Sequence, residues 1–201
     1  MEVLFYFLLA YLLGSIPFAL VVSLPQGVDP REAGSGNPGA TNVARLLGKK
    51  WGLVTFIGDA GKGIFALYVV KFLSSQDFTQ NPLLYSGIAL SAIVGHLHSV
   101  FLKFGGGKGV ATTIGTFLIL TPKALITVLP IFFLAVYISG YVSVGSLLSV
   151  ALLPLLIYLY KYPNEYTYSA LLLVPLIYWK HKDNIKRLIR GEEKSWRRNK
   201  V

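Results

Sequence analysis

The chain has 201 residues, 54% of them apolar and 14% charged, and its mean hydropathy is +0.59. Soluble domains carry about a quarter charged residues, so this composition excludes a water-soluble globule and a disordered chain. Cysteine is absent, which also excludes a disulfide scaffold, a thiolate metal site and a cysteine nucleophile. The formal net charge is +10, and nine of the 19 cations lie between Lys180 and Val201. A basic excess fits nucleic acid, an anionic membrane surface or a phosphorylated substrate. In so apolar a chain the first reading is topological: the cationic tail at 180–201 stays cytoplasmic, beside anionic lipid, and no nucleic-acid partner is expected.

Seven apolar stretches follow in order. Val3 to Leu24 is too long for the core of a cleavable signal and lacks a basic leader, so it reads as a first span, interrupted by Gly14, Ser15 and Pro17. A polar segment, Pro25 to Trp51, separates it from Gly52–Leu73. Then come Leu83–Leu102, Val110–Leu120, Ala124–Ser139, Tyr141–Tyr160 and Tyr166–Trp179. The fourth and seventh are short for a span of about 20 residues, so counts of five or six stay open. With seven spans and the N-terminus outside, fifteen loop and tail cations fall inside and two outside, a strong positive-inside bias. The expected fold is therefore an all-α polytopic membrane helix bundle of seven helices. It is read as a single domain over 1–201 with a cytoplasmic C-terminus.

Three polar motifs carry chemistry. The first runs Gly34-Ser35-Gly36-Asn37-Pro38-Gly39-Ala40-Thr41-Asn42, followed by Arg45. Glycines let the backbone approach a ligand, successive N–H groups can form an anion nest, and Arg45 adds a bidentate fork for phosphate. The second is Gly105-Gly106-Gly107-Lys108-Gly109, entering a helix at Val110. A Gly-rich loop at a helix N-terminus suits an anion. It is not a nucleotide-hydrolysing P-loop, because Gly109 stands where Ser or Thr would follow the lysine. The third is in the tail, where His181 and Asn184 share a helix face at i, i+3 and Ile185 and Leu188 mark an amphipathic surface helix. His181 can take a proton, and Asn184 can donate to a carbonyl or phosphate oxygen.

Other polar residues read mainly as structure. Asp59 and Lys62, inside the second span, are placed to pair at i, i+3. His96 and His98 face apart at i, i+2 with no carboxylate near them in sequence, so no metal site is expected. Ser143 and Ser146 border the turn between the fifth and sixth spans and can supply hydroxyls to the cytoplasmic side. On this topology all three motifs face the cytoplasm, where a cationic, Gly-rich site lies beside lipid.

These residues resemble a family, the bacterial acyl-phosphate:glycerol-3-phosphate acyltransferases (PlsY). The matching pieces are Tyr11 to Pro17, Gly34 through Arg45, Asp59 with Lys62-Gly63, Gly95-His96 with Phe101 and Gly105 through Thr112, and His181 with Asn184, Arg187 and Glu192. They span nearly the whole chain in order. The resemblance implies a multi-pass enzyme of the bacterial cytoplasmic (inner) membrane, acting early in phospholipid synthesis. It implies transfer of a fatty acyl group from acyl phosphate, and not directly from acyl-CoA or acyl carrier protein, to the 1-hydroxyl of sn-glycerol 3-phosphate; no cofactor and no metal are expected. A functional link to the enzyme that makes acyl phosphate is expected. The family lacks the His-x4-Asp motif of other glycerol-phosphate acyltransferases, and that spacing is absent here. One departure is Gly140, which precedes Tyr141 where the family often has a basic residue.

The expected substrate-binding set is Ser35, Gly36, Asn37, Thr41, Asn42, Arg45, Gly105, Gly106, Gly107, Lys108, Gly109, Ser143 and Ser146. His181 and Asn184 form the expected catalytic pair, with the proton going to His181 or to a substrate phosphate. The alternative function is a membrane transporter of a phosphorylated small molecule. It would place its binding site near the bilayer midplane.

Overall fold

A computed structural model describes residues 1–198. Among the described residues the chain is all helical, with three short 3-10 turns and no strand. The helices are α1 (Glu2–Ser15), α2 (Phe18–Ser23), α3 (Ala40–Leu47), α4 (Lys49–Ser74), α5 (Pro82–Leu97), α6 (Val110–Leu120), α7 (Pro122–Ser139), α8 (Val142–Leu159), α9 (Asn164–Lys180) and α10 (Lys182–Ile189). They divide into two compact units. The first is Met1–Leu120, and the second begins at Thr121.

Five stretches are long and apolar enough to cross a bilayer: Glu2–Gln26, Lys49–Ser74, Pro82–Leu102, Pro122–Ser139 and Val142–Leu159. They coincide with five of the seven expected spans. The other two are also helices, but α6 has 11 residues and α9 has 17. At 1.5 Å per residue these reach about 16 and 25 Å, against a hydrocarbon core of about 30 Å.

The first span is broken where Pro17 removes a backbone donor, so α1 ends at Ser15 and α2 starts at Phe18. The carbonyls beside the break find partners elsewhere in the unit, after α5 and on α4. Ser99 Oγ donates to the Ser15 carbonyl at 2.6 Å, and Lys62 Nζ donates to the Ile16 carbonyl at 2.8 Å. A broken helix is tolerated in a membrane on just this condition.

Small residues bring the helices of the first unit close. A Cβ on Gly14 or Gly95 would overlap backbone atoms across the α1–α5 contact, and one on Gly115 would overlap Ala60 across the α4–α6 contact. Thr112 Oγ1 donates to the Asp59 carbonyl at 3.0 Å, while Gly63 lies against Thr112 and Thr116. Pairing 59 with 112 and 63 with 116 makes α4 and α6 parallel. Asp59 stands about 15 Å along α4 from Lys49, so the loop entering α6 lies about 10 Å in from that end.

In the second unit, Gly145 of α8 packs on Phe132 and Val136 of α7. Gly140 makes the turn between them with a left-handed φ of 80°. The Tyr178 hydroxyl of α9 donates to the Leu147 carbonyl at 3.2 Å. The chain after α10 folds back on the α7–α8 turn: Ser195 Oγ and the Trp196 N–H both donate to the Gly140 carbonyl at 3.0 Å.

Candidate active site

The first motif is a loop held on a helix by one amide. Asn42, in the first turn of α3, is buried. Its Nδ2 donates to the carbonyls of Pro30 at 2.8 Å and Ala33 at 3.0 Å, and its Oδ1 accepts from the Ser35 N–H at 2.8 Å. Gly34 and Gly36 take left-handed φ values of 67° and 70°, and a Cβ on Gly34 would overlap Asn42 Oδ1. Ser35, Asn37 and Arg45 are half-buried, while Gly36 and Thr41 are exposed. Arg31 binds Asp29, with Nη2 at 2.6 Å from Oδ2, and its hydrogen bonds hold that carboxyl below the usual range.

The second motif is pinned to the end of α5. The Ser99 N–H donates to the Gly105 carbonyl at 2.7 Å, and the Gly107 N–H donates to the His96 carbonyl at 3.1 Å. A Cβ on Gly106 would overlap the His96 and Leu97 carbonyls. Gly109 has φ 84° and hands the chain to α6, where the Thr113 N–H donates back to the Gly109 carbonyl at 2.9 Å. The first N–H groups of a helix have no intrahelical acceptor, so this entry suits an anion. Lys108, half-buried, is the cation of the loop. Val43 of α3 packs with Ala19, Leu20 and Val22, and Leu102, just before the loop, joins the same cluster. The two Gly-rich motifs therefore occupy one end of the first unit.

Behind the second motif lies a buried charge cluster. The expected Asp59–Lys62 pair forms, with Nζ 2.8 Å from Oδ1 and both side chains almost inaccessible. His96 joins it, with Nδ1 3.3 Å from the same Asp59 oxygen. No carboxylate lies near His96 in sequence, because Asp59 is 37 positions away and reaches it only through α4–α5 packing. His98 faces elsewhere, with Nδ1 donating to the Phe104 carbonyl at 3.2 Å.

In the second unit His181 forms the joint between α9 and α10. Its Nδ1 lies 2.8 Å from the Ile177 carbonyl. A carbonyl only accepts, so Nδ1 carries the hydrogen. Asn184, also buried, donates to Glu193 Oε1 at 2.6 Å. Glu193 also accepts from Ser143 Oγ at 3.0 Å and, on Oε2, from Arg187 Nε at 2.8 Å. One carboxylate thus gathers the start of α8, two residues of α10 and the tail. Burial pushes the Glu193 carboxyl up, but the hydrogen bonds from Asn184, Arg187 and Ser143 outweigh it and hold the group below its ordinary 4.5. The residue in this clamp is Glu193 and not its neighbour Glu192 of the resemblance, which is exposed. Ser146 uses its hydroxyl on its own helix, donating to the Val142 carbonyl at 3.0 Å.

The fold and these residues define a multi-pass membrane protein with Gly-rich, cationic loops. The family described as glycerol-3-phosphate acyltransferase matches residues 4–191. A relative of that name from Solidesulfovibrio magneticus is 44% identical over 98% of this chain and 96% of its own. Another, from Desulfotalea psychrophila, is 44% identical over 95% and 96%. The crystal structure of PlsY (YgiH), an integral membrane glycerol 3-phosphate acyltransferase, in its glycerol 3-phosphate form is 34% identical. It superposes with a TM-score of 0.90 over 98% of this chain and 96% of that one. Its lysophosphatidic acid form gives a TM-score of 0.88. The chain belongs to the glycerol-3-phosphate acyltransferase family, and of the two functions open to the sequence it is the acyltransferase.

Proposed function

We propose that the protein transfers a fatty acyl group from acyl phosphate to the 1-hydroxyl of sn-glycerol 3-phosphate. The products are lysophosphatidic acid and inorganic phosphate. The observation that carries the acceptor half is the loop Gly105–Gly109, pinned by backbone hydrogen bonds to Ser99 and His96 and opening onto the α6 N-terminus beside Lys108. In the reaction the hydroxyl oxygen attacks the acyl carbonyl carbon. The carbon–oxygen bond to phosphate breaks, and phosphate leaves with the bonding electrons. Acyl phosphate is already a mixed anhydride, so no covalent enzyme intermediate is required. The protein must hold two phosphates against their repulsion, aim the hydroxyl and stabilise an oxyanion.

Each residue then has a task. Lys108 and the loop Gly105, Gly106, Gly107 and Gly109 hold the acceptor's phosphate. Arg45 holds the second phosphate, with Ser35, Gly36, Asn37 and Thr41 around it. Asn42 acts through the loop it supports. Asn184 hydrogen-bonds the acyl carbonyl or the substrate, and Ser143 acts with it through Glu193. Ser146 lines the same end of α8. The proton passes to the departing phosphate, whose oxygens lie next to the bond being made, with His181 as the other acceptor. No cofactor or metal enters this scheme.

The topology belongs to the proposal as well. Seven spans, N-terminus outside and C-terminus cytoplasmic, give the fifteen-to-two cation asymmetry read from the loops and tail. α6 and α9 are the short fourth and seventh spans. The enzyme then works as a single acyltransferase domain over 1–201 in the bacterial inner membrane, supplied by the enzyme that makes acyl phosphate. The test is phosphate release by purified protein given palmitoyl phosphate, with and without glycerol 3-phosphate. Acceptor-dependent release with lysophosphatidic acid formed supports the proposal. Absence of acceptor-dependent release from folded protein overturns it.

A further inference from the structure

We propose that His96 is a positioning residue for the acceptor. Its ring, held by Asp59, which is itself paired with Lys62, is the wedge against which Gly107 rests, and it thereby sets the aim of Lys108. This rests on the reading of the Gly105–Gly109 loop as the seat of the glycerol 3-phosphate phosphate.

Three observations carry it. The first is that charge balance does not call for His96. Asp59 and Lys62 already neutralise each other at 2.8 Å inside the span, yet the His96 ring is brought to 3.3 Å from the same carboxylate oxygen. The second is where the ring's other edge lies. With Nδ1 toward Asp59, Nε2 faces the loop, and a Cβ on Gly107 would overlap that Nε2. The third is that Gly107 does not take a left-handed φ, unlike Gly109. The backbone at 107 therefore suits any residue, and the need for glycine there is steric, imposed by His96.

The wedge is itself braced. Lys62 Nζ also donates to the Ile16 carbonyl at the α1–α2 break, which accepts from the Phe18 N–H as well. An unbroken line of contacts thus runs from the α1–α2 break through Lys62, Asp59 and the His96 ring to Gly107, the residue before Lys108. Asp59, Lys62 and His96 are all buried and the ring touches the loop at Gly107, which is the place of a group that positions and does not react.

The test is steady-state kinetics on the purified full-length protein. The variants are His96→Asn, Gly107→Ala, the double variant and Lys108→Ala. Asparagine places its Nδ2 where the histidine carries Nδ1, so the hydrogen bond to Asp59 survives while the wedge is removed. His96→Asn is expected to raise KM for glycerol 3-phosphate about tenfold and leave KM for acyl phosphate within about twofold. Gly107→Ala is expected to do the same. In the double variant the added methyl enters the vacated space and changes KM by less than about twofold beyond His96→Asn. A merely structural role would move both KM values together and give additive losses, and either result overturns the proposal. If His96→Asn does not remain folded, Gly107→Ala carries the test, its acceptor-selective KM rise supporting the proposal and a non-selective loss overturning it. Lys108→Ala separates the two levels of the argument. If it leaves KM for glycerol 3-phosphate unchanged, the reading of the loop fails. If it raises that KM while His96→Asn does not, only the role of His96 fails.

Discussion

The two units fix their polar residues in opposite ways. In the first, the Gly105–Gly109 loop is held by its backbone, through hydrogen bonds to Ser99 and His96 and through glycines that fit where no side chain would. In the second, side chains hold one another: Glu193 takes hydrogen bonds from Ser143, Asn184 and Arg187. A loop pinned by its backbone sets the direction of the helix entry that follows it. A carboxylate clamp instead fixes the orientation of one amide, that of Asn184. The difference predicts that damage to the first unit appears in substrate binding, and damage to the second in turnover.

The largest effect is expected from the phosphate cations. A charge-assisted hydrogen bond contributes about 1.5–3 kcal/mol, so Arg45→Ala and Lys108→Ala are each expected to lower kcat/KM by about 10- to 100-fold, mainly through KM. Lys108→Ala should act on KM for glycerol 3-phosphate. A fall in kcat alone would break the contrast between the units.

The clamp comes next. Glu193→Ala leaves Asn184, Ser143 and Arg187 without their shared acceptor, a disruption on the order of 3 kcal/mol for a buried pair. Turnover is expected to fall about 30-fold with KM for glycerol 3-phosphate nearly constant, and the tail to become more open to proteolysis. The clamp also has a pH signature. Its folded pKa lies below the ordinary 4.5, so the stabilisation is complete above that value and is lost as pH falls through the lowered one. Trp196, which donates from Nε1 to the Val136 carbonyl at 3.2 Å, reports on the same segment. Its fluorescence is expected to change in acid in the wild type. In Glu193→Gln it should already be altered at neutral pH and flat with acid. Identical titrations in the two proteins would remove the clamp from the argument.

The same contrast marks what the sequence could convey. The break in the first span was legible because Pro17 has a fixed local consequence, and the Asp59–Lys62 pair because i, i+3 is a helix distance. The two Gly-rich motifs were legible as chemistry because glycine and cations cluster within a few positions. Glu193 was not, since it meets Ser143 across 50 positions and nothing local separates it from the exposed Glu192. His96 was hidden in the same way, its carboxylate lying on another helix. The span count stayed open because α6 is apolar yet short and α9 is short with polar ends, and hydropathy does not tell a short span from a buried core helix.

His181 offers a finer test. If a substrate phosphate takes the hydroxyl proton, His181→Ala keeps more than about a tenth of kcat. General base catalysis by the side chain would contribute about 100-fold or more. A loss of that size, with the α9–α10 joint intact by circular dichroism, would move the proton route to His181.

The smallest effect separates two serines on one turn of α8. Ser143 and Ser146 stand at i, i+3 and both are buried, so burial does not distinguish them. Their hydrogen bonds do. Ser143 reaches Glu193, while Ser146 donates to Val142 within its own helix. A serine bonded back to its own helix is easily replaced by alanine. Ser146→Ala is therefore expected to change kcat by less than about twofold, and Ser143→Ala, which takes one of three donors from the clamp, by about fivefold, or about 1 kcal/mol. Equal effects would mean that the serines act directly on substrate and not through Glu193. The clamp would then be a support for Asn184 alone.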